Sequence, residues 1–571
     1  MTEPSIDDSR QALHEVVAAI LARRMKGDVP GRFIDAVLSG QGDRDSVRKE
    51  MERVFGTSTP LDLVLFDTDS IASYVFESSR PPVIAGASTI LRDINDRIAR
   101  DYRDFVIFSG GGEGMLLVPA GQGSEICRAI EALYAERTGG ALTVTTGFLP
   151  VGPQDFIASK AKEKDAADGA RLVSGTQAVL SRLRDQVRQK KDERGPGSPA
   201  VAGGARRCVS CRDRAAGQHK IRDFRREARV DGPLCDPCAG RWEVGKKEIN
   251  GTSFEELVEA AGLERAKSKY IGFLYVDGNS MGALFGSLSS LAEIRFLSQA
   301  VRGVFERLRS RVEKAVRELV PGKPDEDLPL VSYLGGGDEA IWILPAHIAV
   351  QVTGKLSKWI EEASAETADL SSLLKEKTGV PHVTFGAGLV LCGYSYPVRY
   401  QFGLAKELQK NAKAMFYEAK GKVAVSSIDF EVLTESSPLS ENLDVSRALT
   451  DRTEDPGFRR SCRPYTAAAF AALLDRMRRA REGALKLATS QLYTLQEGSK
   501  EGKRVFLNFL RYQIARKPAG LKYQEWLQAL RVDPADPVEV ERFFVHDLAK
   551  GCGTWIVDGL QLSPFLDGPG A

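Results

Sequence analysis

The sequence predicts an α+β protein with two ferredoxin-like palm domains in tandem, a zinc-knuckle insert between them and a C-terminal helical domain. Three observations carry this prediction. A strand-end motif occurs twice, as Leu-Val-Leu-Phe-Asp67-Thr-Asp69-Ser70 and as Phe-Leu-Tyr-Val-Asp277-Gly-Asn279-Ser280. Each copy is followed by a glycine hairpin, Gly110-Gly111-Gly112-Glu113 in the first and Gly335-Gly336-Gly337-Asp338-Glu339 in the second. Two Cys-x-x-Cys pairs lie between the copies. At 571 residues and 43% hydrophobic the chain exceeds one ordinary core. Repetition at this spacing is a duplicated domain, because each unit is large enough to bury its own helix face.

The elements follow in order. Residues 1–60 form an N-terminal helical region, with Leu13, Val16, Val17, Ile20 and Leu21 at helical spacing. Residues 61–152 form the first palm: a strand ending at Asp67, a helix around Ala87 to Arg100, strands at Phe105 to Ser109 and Met115 to Val118, a helix at Ser124 to Arg137, and a strand at Ala141 to Leu149. That is a β-α-β-β-α-β order. Residues 153–255 hold a charged helix, Thr176 to Arg194, a Gly/Pro-rich flexible stretch over Gly195 to Gly204, and the cysteine pairs. Residues 256–436 repeat the palm with strands at Ile271 to Val276, Leu328 to Leu334, Ala340 to Leu344 and Val383 to Leu391, and helices at Leu291 to Leu319 and Ala349 to Ser364. A further helix, Phe402 to Ala419, and a strand, Val423 to Phe430, are appended. Residues 437–571 turn helical, notably Tyr465 to Leu495 and Val505 to Ala515, with one candidate strand near Trp555.

Composition excludes several classes. The formal charge of +2 gives no global basic field, so any nucleic-acid contact must come from local patches such as the one between Ser181 and Arg229. No apolar run approaches the roughly 20 residues of a membrane span, and Met1 to Asp8 lacks a signal-peptide layout. A cytoplasmic protein without membrane partners is expected. Cys127, Cys392, Cys462 and Cys552 are scattered and read as small buried apolar side chains.

In a β-α-β-β-α-β sheet the first strand lies beside the hairpin of the second and third, so Asp277 and Asp338 become spatial neighbours. Their charges would repel without a cation. Mg²⁺ or Mn²⁺ suits a few carboxylate oxygens combined with phosphate oxygens, so Asp277 and Asp338 are the expected ligands. Glu339 either adds to this catalytic group or faces away. Gly336 and Gly337 suit a tight tip and leave room for a nucleotide. Gly278, Asn279 and Ser280 lead from the strand towards a helix, where backbone N–H groups can receive phosphates. In the first copy Asp67 and Glu113 occupy the matching positions, with Asp69 where Asn279 stands. That copy either holds its own metal or binds a second nucleotide as acceptor; its shorter connections and Glu113 favour the second palm as catalyst. ATP is the expected substrate.

Cys208-Val-Ser-Cys211 and Cys235-Asp-Pro-Cys238, with 23 residues between the pairs, supply four thiolates for a closed, structural Zn²⁺ site. Arg206, Arg207, Arg212, Arg214, Lys220, Arg222, Arg225 and Arg226 surround it, as either an RNA contact or a solvated face. The basic stretch Arg476 to Lys486 carries the same two readings.

On these residues the chain resembles the large palm-containing subunit of type III CRISPR effector complexes, a relative of the GGDEF-like diguanylate-cyclase palm. Val276 to Gly282, the Gly336-Gly337-Asp338-Glu339 signature and Tyr396-Pro397 carry the likeness in the second palm, and Ile84 to Ser88 with Gly110, Gly111 and Gly112 in the first. The likeness spans roughly residues 60 to 550. It implies cyclic oligoadenylate synthesis from ATP for antiviral defence, triggered when guide RNA and other effector-complex subunits capture target RNA, with the product activating a separate effector. It places Ser88 and the hairpin glycines by a nucleotide, and lets Lys413 or Lys420 reach the triphosphate. The family's HD nuclease is not expected here, since the first sixty residues offer only His14, and His546-Asp547 is a lone dipeptide. Glu339 departs from the family's second aspartate, as in diguanylate cyclases. The alternatives are a catalytically silent RNA-binding scaffold and a stand-alone cyclic-dinucleotide synthase.

Overall fold

The first strand of each palm is apolar on both faces because it lies inside its sheet, with helices or other strands covering each side. The structure, a computed structural model, describes residues 4–566 apart from 24, 26–27, 57, 79, 161–171, 195–205, 218, 221–231, 249–252, 262–268, 321–327, 335–336, 419–424, 435–436, 438, 449–450, 483–486, 517–518 and 549–550. Gly336, Lys420, Arg222, Arg225, Arg226 and the Gly/Pro-rich stretch of 195–204 lie outside the described residues.

Three helices, α1 (Ile6–Ala22), α2 (Gly31–Ser39) and α3 (Arg44–Phe55), precede the first palm. That palm comprises β1 (Leu61–Thr68), α4 (Ile71–Phe76), α5 (Pro81–Asp101), β2 (Val106–Gly110), β3 (Glu113–Pro119), α6 (Gly123–Thr138) and β4 (Val144–Val151). Its sheet order is β2-β3-β1-β4, antiparallel throughout. Short pairings β5 (Ser159–Lys160) with β6 (Leu172–Val173) and β7 (His219–Lys220) with β8 (Pro233–Leu234) flank α7 (Gly175–Arg194). Helices α8 (Asp236–Gly245) and α9 (Phe254–Ala260) follow.

The second palm runs β9 (Tyr270–Gly278), α10 (Met281–Gly286), α11 (Leu291–Leu319), β10 (Val331–Leu334), β11 (Glu339–Pro345), α12 (Ala346–Ala365), α13 (Ala368–Thr378), β12 (Phe385–Gly393), α14 (Val398–Glu418) and β13 (Ser427–Val432). A capping box, Ser290 with Glu293, starts α11 where the sequence places it. After α15 (Leu443–Arg447) come β14 (Phe458–Arg459), β15 (Tyr465–Thr466), α16 (Ala467–Glu482), α17 (Thr489–Gly498), α18 (Lys503–Ala515), α19 (Ala519–Ala529), α20 (Pro537–Phe544), β16 (Val545–Leu548), β17 (Gly551–Thr554) and α21 (Ile556–Leu562).

The C-terminal region is therefore not purely helical. Strands β14, β17 and β16 form a small sheet, and β15 joins the second palm's sheet, whose order is β10-β11-β9-β12-β13-β15. The two-residue strands β14 and β15 are too short for sequence periodicity to reveal. A buried ion network ties this region to β13: fully buried Arg463 reaches Glu431 at 2.9 Å and Asp558 at 3.1 Å, and Arg447 reaches Asp429 at 2.6 Å. Removing one partner would strand an uncompensated buried charge.

The palms pack on each other reciprocally. Helix α5 of the first lies against β10 of the second, and α11 of the second against β2 of the first. Arg295 on α11 donates to the carbonyl of Val106 in β2. Consequently Leu63 and Leu65 of β1 share one core with α1, α7 and α11, while Phe273 and Tyr275 of β9 share the other with α4, α5 and α14. The stack of Phe76 on Phe402, centroids 5.0 Å apart, seals the second contact.

Candidate active site

Register decides which acids meet. β9 pairs with β11 so that Asp277 faces Glu339, and the N–H of Gly278 donates to the carbonyl of Asp338 at 2.9 Å. Asp277 and Glu339 thus point to one face of the sheet, and Asp338 sits at the hairpin end beside them. On that face α14 presents Gln409 and Lys413, one turn apart, to Asp277: the amide donates to Oδ2 at 3.0 Å and the ammonium at 2.6 Å. Lys413 also donates to the carbonyl of Gly278 at 2.7 Å. Lys413 therefore reaches the strand-end acid itself.

Burial raises the pKa of Asp277 above the usual carboxylate range although Lys413 opposes it. Asp338 is pushed up to about 7 by burial and by the charges of Asp277 and Glu339. Burial raises Glu339 too, against a hydrogen bond from Tyr275. Three crowded, desolvated carboxylates carry an excess of negative charge that an oxygen-seeking divalent cation would relieve, so the donor set fits Mg²⁺ or Mn²⁺. Their ligand oxygens are not drawn into one cluster; among the described residues only the four cysteines form a group of three or more close metal-ligand candidates.

The same register corrects the expected match in the first palm. Asp67 faces Glu113 as Asp277 faces Glu339, and Thr68 N–H donates to the carbonyl of Gly112 as Gly278 does to that of Asp338. Glu113 is therefore the counterpart of Glu339, and Gly112 stands where Asp338 stands. Gly112 has φ +82°, and a Cβ there would lie 2.1 Å from Cδ1 of Ile71 and 2.9 Å from Oγ1 of Thr68, so a side chain at this position would be strained. Asp67 and Asp69 are instead held by Lys191 of α7, at 2.8 and 2.9 Å. Lys191 does for Asp67 what Lys413 does for Asp277, which makes α7 and α14 corresponding helices of the repeat. Ser70 and Ser280, at φ +52° and +53°, enter α4 and α10 through the same left-handed turn.

Between the palms lies a cavity of about 470 Å³. Ser88, Gly110, Gly111 and Gly112 line it from the first palm, and Gly337 and Glu339 from the second. Arg302 of α11 crosses it to Asp96 of α5 at 3.8 Å. Asn279 is not directed there: its buried amide donates to Thr384 at 3.2 Å and to the carbonyl of Val425 at 3.3 Å, fastening the end of β9. Gln409 and Tyr275 escaped sequence reasoning, although the four-residue spacing of Gln409 and Lys413 was a readable signal.

The thiols of Cys208, Cys211, Cys235 and Cys238 are buried and converge within 4.8 Å of one another. The 3.9 Å between Sγ of Cys211 and of Cys235 suits a tetrahedral Zn²⁺ site, whose Zn–S bonds of about 2.3 Å give edges of about 3.8 Å. Arg241 donates to Cys238 Sγ at 3.2 Å and Arg214 to Cys235 Sγ at 3.4 Å, and Glu77 of the first palm bridges both arginines. Helix α8 crosses α5 at a glycine pair: a Cβ on Gly86 would come within 1.9 Å of the carbonyl oxygen of Arg241. The knuckle is thereby clamped to the helix that walls the cavity. Arg214 serves this site, whereas Arg206, Arg207 and Arg212 are exposed. Arg476 stacks on Phe543 and Trp555. Among the described residues no helix is long and apolar enough to cross a membrane.

Residues 270–424 match the family Cas10/Cmr2, second palm domain. No curated protein matches the chain. Among solved structures it is similar to Csm1 of T. onnurineus (14% identity, TM-score 0.50, covering 89% of this chain and 69% of that one). It is likewise similar to a chain of a Csm1-Csm4 cassette in complex with one ATP (13%, 0.51, 89% and 70%) and to one in complex with pppApA (14%, 0.51, 91% and 71%). At this identity the likeness is one of fold.

Proposed function

From the premise that this chain is a Cas10-like palm protein of the type III kind, we propose that it is a metal-dependent nucleotidyltransferase that joins ATP into cyclic oligoadenylates within a guide-RNA effector complex, on capture of target RNA. The observation that carries this reading is the cavity walled by both palms, where the glycine hairpin of the first meets Gly337 and Glu339 of the second. Chains of similar fold belong to Csm1-Csm4 cassettes in complex with one ATP and with pppApA. Asp277 and Asp338, with Glu339, would hold Mg²⁺ or Mn²⁺, which supplies charge neutralisation at the attacking hydroxyl and the leaving phosphate. Lys413 pairs with Asp277 at 2.6 Å, opposing the rise that burial imposes on its pKa, and would offer its ammonium to a phosphate. The hairpin glycines keep side chains out of the nucleotide's way. The first palm, with Gly112 in place of an acid, serves as the acceptor-side wall.

Incubating the protein with labelled ATP and Mn²⁺, with and without a cognate RNA complex, should give cyclic products that Asp338→Ala abolishes; equal product from that variant would end this assignment. A second reading, a silent scaffold, draws on the Lys413–Asp277 ion pair, which already neutralises the acid as Lys191 neutralises Asp67. It predicts RNA-dependent assembly without ATP turnover.

A further inference from the structure

The zinc knuckle is not completed by its own segment. A Zn²⁺ held by four thiolates carries two net negative charges, which in a buried site call for neutralising partners. Two arginines supply them. Arg241, one helical turn beyond Cys238 on α8 and 1% exposed, donates to Cys238 Sγ at 3.2 Å and to the carbonyl of Pro237 at 3.2 Å. Arg214 donates to Cys235 Sγ at 3.4 Å. The same two guanidiniums also turn to the first palm. Both pair with Glu77, the residue that closes α4, and Arg241 donates to the carbonyl of Tyr74 at 2.7 Å and lies over its ring at 4.6 Å. A buried hydroxyl pair, Ser78 with Ser210 at 2.7 Å, joins the same surfaces. Helix α4 runs from Ile71, which lines the cavity, to Phe76, which packs on Phe273, Tyr333 and Phe402 of the second palm.

We infer that Arg241 is a positioning residue that ties zinc to the first palm: its guanidinium both offsets the charge of the zinc–thiolate cluster and fastens α4, so that zinc occupancy holds the helix joining the cavity to the second palm. The charges need both ends of the tie. Without the charged cluster, Arg241 and Arg214 would share a single carboxylate, Glu77, and a guanidinium buried as deeply as Arg241 would be in excess. Without Glu77, Arg241 would keep its sulfur but lose its charged hold on the palm. Geometry selects arginine for this post. Its planar fork of donors meets a sulfur, a carboxylate and two carbonyls at once, which a lysine ammonium, a point charge on a flexible stem, does not reproduce. By linkage, whatever zinc contributes to holding α4, α4 returns to zinc affinity.

The test uses the full chain loaded with zinc, as the wild type, Arg241→Met, Arg241→Lys and Glu77→Gln. Two quantities are read: zinc affinity, by competition with a chelator, and hydrogen exchange of the α4 amides with zinc bound or stripped, with β9 as internal reference. In the wild type, stripping zinc should speed exchange in α4 while β9 stays protected. Arg241→Met, which removes the charge at similar volume, should lower zinc affinity roughly ten- to hundredfold, as loss of a partner to metal ligands does, and leave α4 fast whether or not zinc is present. Arg241→Lys should regain part of the affinity, because an ammonium still offsets the cluster, without restoring α4. Glu77→Gln, which touches no sulfur, should keep its zinc while its α4 no longer answers to the metal, and it stands in should the methionine variant not fold. Equal α4 exchange with and without zinc in the wild type, a rise spread evenly over β9, or wild-type zinc affinity in a folded Arg241→Met chain overturns the inference. Failure of the wild type to take up zinc overturns it too, along with the zinc reading of the four cysteines. Nucleotide enters none of these measurements, so their outcome is separate from that of the ATP assay.

Discussion

Replacing Asp338 by asparagine should stabilise the metal-free protein while ending its turnover. In the folded chain the carboxyl of Asp338 is pushed up to about 7, from an ordinary 3.8, by burial and by the neighbouring charges of Asp277 and Glu339. The folded state therefore resists ionising it. With each pKa unit equal to about 1.36 kcal/mol, the roughly three-unit rise destabilises the ionised native state by at most about 4 kcal/mol. Below pH 3.8 the acid is protonated whether the chain is folded or not, and there is no penalty. As pH rises from there the unfolded state ionises first, so the penalty grows until about pH 7 and is constant above. Asparagine cannot ionise, so its advantage should be absent near pH 3.5 and full at pH 8. Denaturant or thermal unfolding in EDTA at several pH values measures it, with a gain of several degrees in Tm expected at pH 8. Saturating Mn²⁺ should close the gap by stabilising the wild type alone. A variant less stable than the wild type at pH 8, or a difference independent of pH, would refute the picture of crowded carboxylates awaiting a cation.

Three further outcomes follow from the same geometry. Because Gly112 stands where Asp338 stands and Lys191 already occupies Asp67, Asp67→Asn should leave ATP turnover within a few-fold of the wild type whereas Asp277→Asn should reduce it by orders of magnitude; single-turnover assays with equal protein compare them. His347, 3% exposed with both ring nitrogens unpartnered among the described residues, is pushed down to about 4 by burial, from 6.5. Its neutral form is stabilising above pH 6.5, and about 3 kcal/mol should be lost as pH falls from there through 4; His347→Leu should flatten that part of the stability-against-pH curve. Cys238→Ser should release the metal and leave Arg241, buried beside Glu77, without its sulfur acceptor. Metal analysis should give less than one zinc per chain, and Tm should fall because α8 no longer braces α5.

Much of the fold was legible because its signals are local. Strands β1 and β9 each show an apolar run closed by an acid, and the capping box at Ser290 marks the start of α11, whose end at Leu319 the helical periodicity also predicts. Other elements carry no such signal. Helix α13 (Ala368–Thr378) went unpredicted, and β14 and β15 have too few residues for periodicity to speak. The match of Glu113 to Asp338 went astray because a glycine run can be slid by one residue without cost in sequence. Only the pairing of Asp67 with Glu113 and of Asp277 with Glu339 sets the register.

What the sequence by itself determined is the set of parts: two strand-end acids, two glycine tips and four thiols at zinc spacing. Each acid, each glycine tip and each Cys-x-x-Cys pair depends on residues within a few positions of one another, so chain connectivity alone holds it together. The tertiary structure decided which parts meet. It seated α5 of one palm on β10 of the other, brought Lys413 to Asp277 and Lys191 to Asp67, and walled one cavity with residues of both palms. Those juxtapositions arise from burying apolar faces of elements far apart in the chain. No local pattern encodes them, because the free energy that fixes them belongs to the assembled core.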